Sequence, residues 1–128
     1  MIPKFRAWDK EDEVMCDVDV IGFTEGTVTV SNENVRYYHL GINEVVLMQS
    51  TGLKDKNSVE IYVGDIVRVL DRLDESLFEA EGHIVYEQDD CAFEIAVGFY
   101  RYSLHRTKFV EYEIIGNIYE NPHLLGEI

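Results

Sequence analysis

At 128 residues and 46% hydrophobic, the chain is long enough for one domain or two small ones, and too apolar to stay disordered. Its 25 acidic residues against 11 basic ones leave a formal net charge of −14, which disfavours phosphate and anionic-membrane partners and favours solubility. No apolar run approaches the roughly 20 residues of a membrane-spanning helix. Met1-Ile2-Pro3-Lys4 lacks the apolar stretch of a secretion signal, so a cytoplasmic protein is expected.

Eight Tyr and six Phe against three Met lean toward strands. Lys4 to Trp8 alternates, with Phe5, Ala7 and Asp9 on one side and Arg6 and Trp8 on the other. Asp9 to Glu13 is a charged turn. Val14 to Phe23 predicts a strand with Val14, Cys16, Val18 and Val20 on one face and Asp17 and Asp19 on the other. Thr27 to Val30 is short and β-branched, and Val35 to Gly41 fits either a loop or a short strand. Glu44 to Gln49 is apolar enough for a strand covered on both faces. No Pro/Gly/Ser-rich linker follows, so the N-terminal half is expected to pack on the rest.

Thr51 to Val69 is the organising stretch. It opens as a polar loop whose Lys54-Asp55-Lys56-Asn57-Ser58 carries turn chemistry. Ile61 and Tyr62 then enter a core, Gly64 supplies a positive φ or a close approach, and Asp65 can accept from nearby backbone N–H groups. A strand leaves at Ile66, with Val67 and Val69 on one face. Asp71 to Ser76 is an acidic connection, and Gly82 marks a bulge or bend inside the Phe78 to Tyr86 strand. After a turn at Glu87 to Asp90, Phe93, Ile95 and Val97 share one face and Glu94 takes the other. Phe99 to Phe109 is aromatic and mixed. Tyr112 to Tyr119 closes the array, Gly116 permits a close approach, and Pro122 to Leu125 forms a single turn whose leucines plug one end.

Lys4-Phe5-Arg6-Ala7-Trp8-Asp9, Leu47-Met48-Gln49, Thr51 to Val67, and Ile115-Gly116-Asn117-Ile118-Tyr119-Glu120-Asn121-Pro122 lie in one order along the whole chain. Together they resemble the YopX family of small phage and prophage proteins of Gram-positive bacteria. The resemblance implies a mostly-β fold: antiparallel strands over residues 1–50 packed on an SH3-like small barrel over 51–128, with little helix and a short C-terminal turn, or one continuous domain. It carries over a structural motif of Trp8, Gly52, Tyr62, Gly64, Asp65, Gly116, Asn117 and Pro122, and no particular activity. Ser58 stands where the family pattern has Gly, and Val63 where an acidic residue is common.

Chemistry is hard to place on this chain. His39, His83, His105 and His123 show no metal-ligand spacing, nothing cradles a phosphate, and Glu60 with Asp65 is a turn before it is a cation site. Cys16 and Cys91 have no CxxC spacing and read as reduced, half-buried strand thiols. No cofactor and no catalytic constellation are expected. Arg101, Tyr102, His105, Arg106 and Lys108 form the one basic and aromatic cluster, a candidate interaction surface. The expectation is a non-enzymatic accessory protein of the host cytoplasm that binds a protein partner or itself. The alternatives are a nucleic-acid-binding small barrel, which the charge opposes, and an acidic mimic of DNA aimed at a host factor.

Overall fold

The computed structural model describes residues 3–34, 36–71, 78–104 and 110–125. Eleven strands are described: β1 (Phe5–Asp9), β2 (Val14–Gly22), β3 (Thr27–Ser31), β4 (Tyr38–Gly41), β5 (Val45–Lys54), β6 (Glu60–Tyr62), β7 (Asp65–Asp71), β8 (Phe78–Glu87), β9 (Ala92–Val97), β10 (Tyr100–Ser103) and β11 (Val110–Asn117). Single 3₁₀ turns at Ile42–Glu44 and Pro122–Leu124 are the only helical elements among the described residues. The strands form two antiparallel sheets, six-stranded in the order β4-β3-β2-β1-β5-β6 and five-stranded in the order β10-β9-β8-β7-β11. By its internal contacts the chain divides into two compact units, Met1–Ser50 and Thr51–Ile128.

In the first unit, Ala7, Cys16, Val28, Val30 and Val45 form the buried centre, with Val14, Val18, Ile21, Tyr38 and Leu40 around them. The simple alternation expected for β2 breaks between Val18 and Val20, where the register against β3 shifts. An extra residue in one strand reverses which side chains face inward. Ile21 therefore joins the core and Val20 is exposed, the opposite of what an unbroken alternation gives.

The second unit is built on Ile61, Val67, Val69, Ile84, Ile95, Val110 and Tyr112. Val67 and Val69 of β7, and Ile95 and Val97 of β9, sit on the core side as their spacing predicts. β5 runs on through Thr51, Gly52 and Leu53 to Lys54, so the polar loop begins four residues later than the sequence suggests. Gly82 marks no bulge. β8 keeps register with β7 on both sides of it, and a Cβ there would lie 2.2 Å from the carbonyl oxygen of Ala96. The bulge lies in β11 instead, between Ile114 and Gly116.

The second sheet is not closed into the expected SH3-like barrel; neither sheet is. Alternation separates an inner from an outer face, whereas closure requires a ladder between the two edges. Here the outer edge of β11 is taken by the 55–59 loop, where the Lys56 N–H donates to the Tyr112 carbonyl (2.8 Å) and the Ile114 N–H donates to Asp55 Oδ2 (3.1 Å). Cys91 also departs from expectation: it is exposed, at φ 51° in the turn after β8, while Cys16 is buried in β2. The acidic connection expected over 71–76 lies, from residue 72 onward, outside the described residues.

Candidate functional site

Most of the motif residues converge on one backbone crossing in the second unit. Gly64 has φ 93°, donates its N–H to the Ile84 carbonyl (2.9 Å) and accepts from the Ile118 N–H (2.9 Å). Asp65 is buried and its Oδ2 accepts from the Tyr62 N–H at 2.7 Å, the turn geometry its position beside Gly64 suggests. Asp65 pairs with Asn117 across the β7–β11 ladder, and Ile66 pairs with Gly116. The Asn117 side chain accepts from the Tyr119 and Glu120 N–H groups (3.0 and 2.8 Å) and donates to Glu120 Oε1 (2.9 Å). Gly116 carries no side chain because Asn121 occupies that space: a Cβ there would lie 2.6 Å from Asn121 Oδ1. Pro122 then starts the 3₁₀ turn. Every polar group described here is directed at backbone or at a neighbouring loop residue, so this constellation holds strands together.

Gly52 lies in β5 at φ 79°. Trp8 belongs to the first unit, on β1, opposite Met15 and Val46.

The sequence names Asp55 only as one residue of the turn over 54–58. Only 7% exposed, it accepts from the Asn57 N–H (2.8 Å) and Val59 N–H (3.0 Å) through Oδ1 and from the Ile114 N–H through Oδ2. The Asp followed two residues later by Asn carried the local half of that signal; the contact with Ile114, 59 residues away, did not appear in it. Ser58, in the same loop, has φ 65°, the left-handed conformation that glycine adopts without cost. Asp9 plays a similar part in the first unit, accepting from the Glu11 and Asp12 N–H groups and from the Tyr38 hydroxyl (3.0 Å). Burial, then Cys16 and Asp9 beside it, pushes the Tyr38 hydroxyl well above the ordinary tyrosine range.

Among the described residues no group of three or more His, Cys, Asp or Glu could hold a metal ion. His39 is exposed and bonded through Nδ1 to Thr29 Oγ1 (2.9 Å). Burial, then the charge of Arg101, holds the His83 imidazole below its usual value. An open apolar cleft of about 440 Å³ lies between Phe99 and Leu125, and Leu124 lines it, so the leucines expected to plug a barrel end face this hollow.

The candidate interaction surface is partly described. Arg101 and Tyr102 lie on β10, all four residues of which are exposed; His105, Arg106 and Lys108 lie outside the described residues. Gly98, at φ 58°, and Phe99 form the two-residue turn that joins β9 to β10, with glycine first as a type II′ turn requires. Phe99 at the tip is fully exposed. Tyr100 and Tyr102 share a face, with ring centroids 6.3 Å apart. They oppose Val97 and Ile95, so the core side of the sheet continues onto two exposed tyrosines.

On the other face Ser103 opposes Glu94. Glu94, on the face opposite Ile95 and Val97 as expected, is 7% exposed, and its Oε1 has no hydrogen-bond partner in the described structure. Burial, followed by the neighbouring Asp90 and Glu87 carboxylates, raises its pKa, while Arg101 opposes the rise. Farther across the sheet Arg68 bridges Glu81 (3.0 Å) and Glu113 (3.3 Å), and Glu113 also takes Lys56. That row of charges is internally matched, whereas Glu94 is not.

A family model described as "YopX protein" matches residues 4–126. Among solved structures, protein EF1440 of Enterococcus faecalis is 28% identical with a TM-score of 0.61, the match covering 98% of this chain and 99% of that one. Protein yopX of Bacillus subtilis is 20% identical with a TM-score of 0.58, over 95% of this chain and 97% of its own, a likeness of fold. No curated protein matches the chain.

Proposed function

The chain belongs to the YopX family, and from that premise we propose that it is a non-enzymatic phage or prophage accessory protein that works by protein–protein contact or self-assembly through the β10 edge. One observation carries the proposal: β10 is an edge strand whose four residues are all exposed, and with the preceding turn it presents Phe99, Tyr100, Arg101 and Tyr102 together. Exposed strand edges that are neither bulged nor covered pair with other strands, and clustered aromatics with an arginine are the residue types that anchor interfaces. The second sheet is a meander of four strands with the last strand beside the first, and β10 ends its strand order, which supports an accessible edge there. The site of action is the host cytoplasm.

A Ser103→Pro variant tests the reading. In a two-residue hairpin Tyr100 and Tyr102 bond to β9, so Arg101 and Ser103 turn their N–H and C=O groups outward. Proline is tolerated where the lost N–H faces solvent, so the variant keeps the fold and blocks the edge. Tagged wild-type and variant proteins are expressed in a Gram-positive host and their co-purifying proteins, the chain itself included, are compared. Partners retained by the wild type and lost from the variant support the proposal. Identical partners on both overturn it.

A further inference from the structure

We infer that the occupant of the β10 edge is the β10 edge of a second copy, paired antiparallel about a two-fold axis at Tyr102, with Arg101 of each copy reaching Glu94 of the other. The inference rests on reading β10 as an interaction edge, and it fixes both partner and register. The outward-turned residues Arg101 and Ser103 are separated by one position. A two-fold axis at Tyr102 therefore sets each Arg101 opposite the other copy's Ser103, an arrangement in which both residues exchange their free N–H and C=O groups. No other two-fold register on this four-residue strand joins both outward residues while keeping the two arginines apart.

Side chains fit the same register. Tyr102 falls opposite its own copy on the face that carries Ile95 and Val97, so the apolar face left open at the edge continues across the axis. On the other face the row reads Glu94, Ser103, then the second copy's Arg101, spanning about 10 Å at the usual strand spacing. Serine is short enough for the arginine to lie over it and bring its guanidinium to Glu94. That carboxylate is more than nine-tenths buried and its Oε1 is unpartnered; its hydrogen-bonding neighbour is another acid, Asp90, and Glu87 adds negative charge beside it. Within one copy the Arg101 guanidinium is turned to the Tyr100 carbonyl (3.4 Å). The pairing thus brings a second positive charge, twice per dimer, to a buried acid whose own Arg101 only partly offsets its burial, and buried charges are stabilised by pairing.

Sedimentation and light scattering of the purified protein, with cysteine cross-linking, test the inference. Wild-type protein is expected to dimerise with rising concentration. Arg101→Glu should weaken the dimer by tenfold or more, roughly 1.4 kcal/mol. Ser103→Pro should be monomeric and keep the wild-type circular dichroism and a cooperative melt, its melting temperature no longer rising with concentration. In a Cys91→Ser background, Tyr102→Cys should form a disulfide-linked dimer, since opposed residues of a non-hydrogen-bonded pair have Cα atoms about 4.5 Å apart. Tyr100→Cys should not. A wild-type protein monomeric at its solubility limit, a Ser103→Pro dimer, or equal linking by both cysteines overturns the inference. A monomer whose captured partner is nevertheless lost with Ser103→Pro overturns the second copy and leaves the edge reading standing; unchanged capture overturns both.

Discussion

Removing the Asp55 carboxylate should detach the 55–59 loop from β11 and cost about 2–4 kcal/mol. Three backbone N–H groups donate to it, at 2.8, 3.0 and 3.1 Å, and bonds to a charged acceptor are worth about 1.5–3 kcal/mol each. The full sum is not lost, because the Asn57 and Val59 amides can turn to water once the loop opens. The cost concentrates on Ile114, whose half-buried amide loses its acceptor, and on the loop released with it. In Asp55→Ala both acceptor oxygens vanish, and all three bonds with them. Asp55→Asn keeps Oδ1 for the loop amides but turns an NH₂ donor toward the Ile114 N–H, so about 1–2 kcal/mol is expected. Urea denaturation followed by circular dichroism measures the shift. Fluorescence of the single tryptophan does not serve, because Trp8 lies in the first unit. Hydrogen exchange at the Ile114 amide supplies the local check, with protection falling in both variants. An Asp55→Ala protein within 0.5 kcal/mol of wild type and with Ile114 still protected would refute the reasoning, and that threshold lies at the edge of ordinary surface effects.

Ser58→Gly should stabilise the protein by about 0.5–1 kcal/mol, since a serine at φ 65° carries left-handed strain that glycine does not; thermal melting reads the gain, and a loss would refute it. Glu94→Gln, made in the Ser103→Pro background, should raise the melting temperature at about pH 7 and lose that advantage below about pH 4. The sign follows from a folded-state pKa raised by burial: the folded protein holds the proton more tightly, so wild-type stability falls as pH climbs from the unfolded pKa to the folded one, and glutamine abolishes that slope. Alkylation of the native protein should label the exposed Cys91 quickly and the buried Cys16 only after denaturation, and mass spectrometry distinguishes this from equal labelling. Mixed-sequence DNA, single- or double-stranded, should show no micromolar binding at about 0.15 M salt, because the −14 charge opposes the counterion release that drives non-specific affinity; fluorescence titration checks it, and binding lost with Arg101, Arg106 and Lys108 replaced would promote the nucleic-acid reading.

Sequence alone determined what a strand and its neighbouring turn settle between them. Val67 with Val69, and Ile95 with Val97, mark inner faces because side chains alternate on a pleated backbone whatever the partner strand is. Gly64-Asp65 is legible as a turn because glycine takes φ 93° freely and the aspartate reaches an amide only three residues back. The tertiary structure decided everything that depends on which strand lies alongside. The bulge after Val18 that sends Ile21 inward and Val20 outward exists only in the pairing of β2 with β3. Asp55 reads as one loop residue among several until β11 brings the Ile114 amide to it. Alternation put Glu94 on the face opposite Ile95 but did not carry its burial, because a residue's exposure depends on what covers that face. Closure is the same problem at the scale of a sheet. Alternation within strands names two faces, but an edge is open or joined according to non-local partners: the 55–59 loop occupies β11, while β10 ends the sheet with no further strand beside it among the described residues.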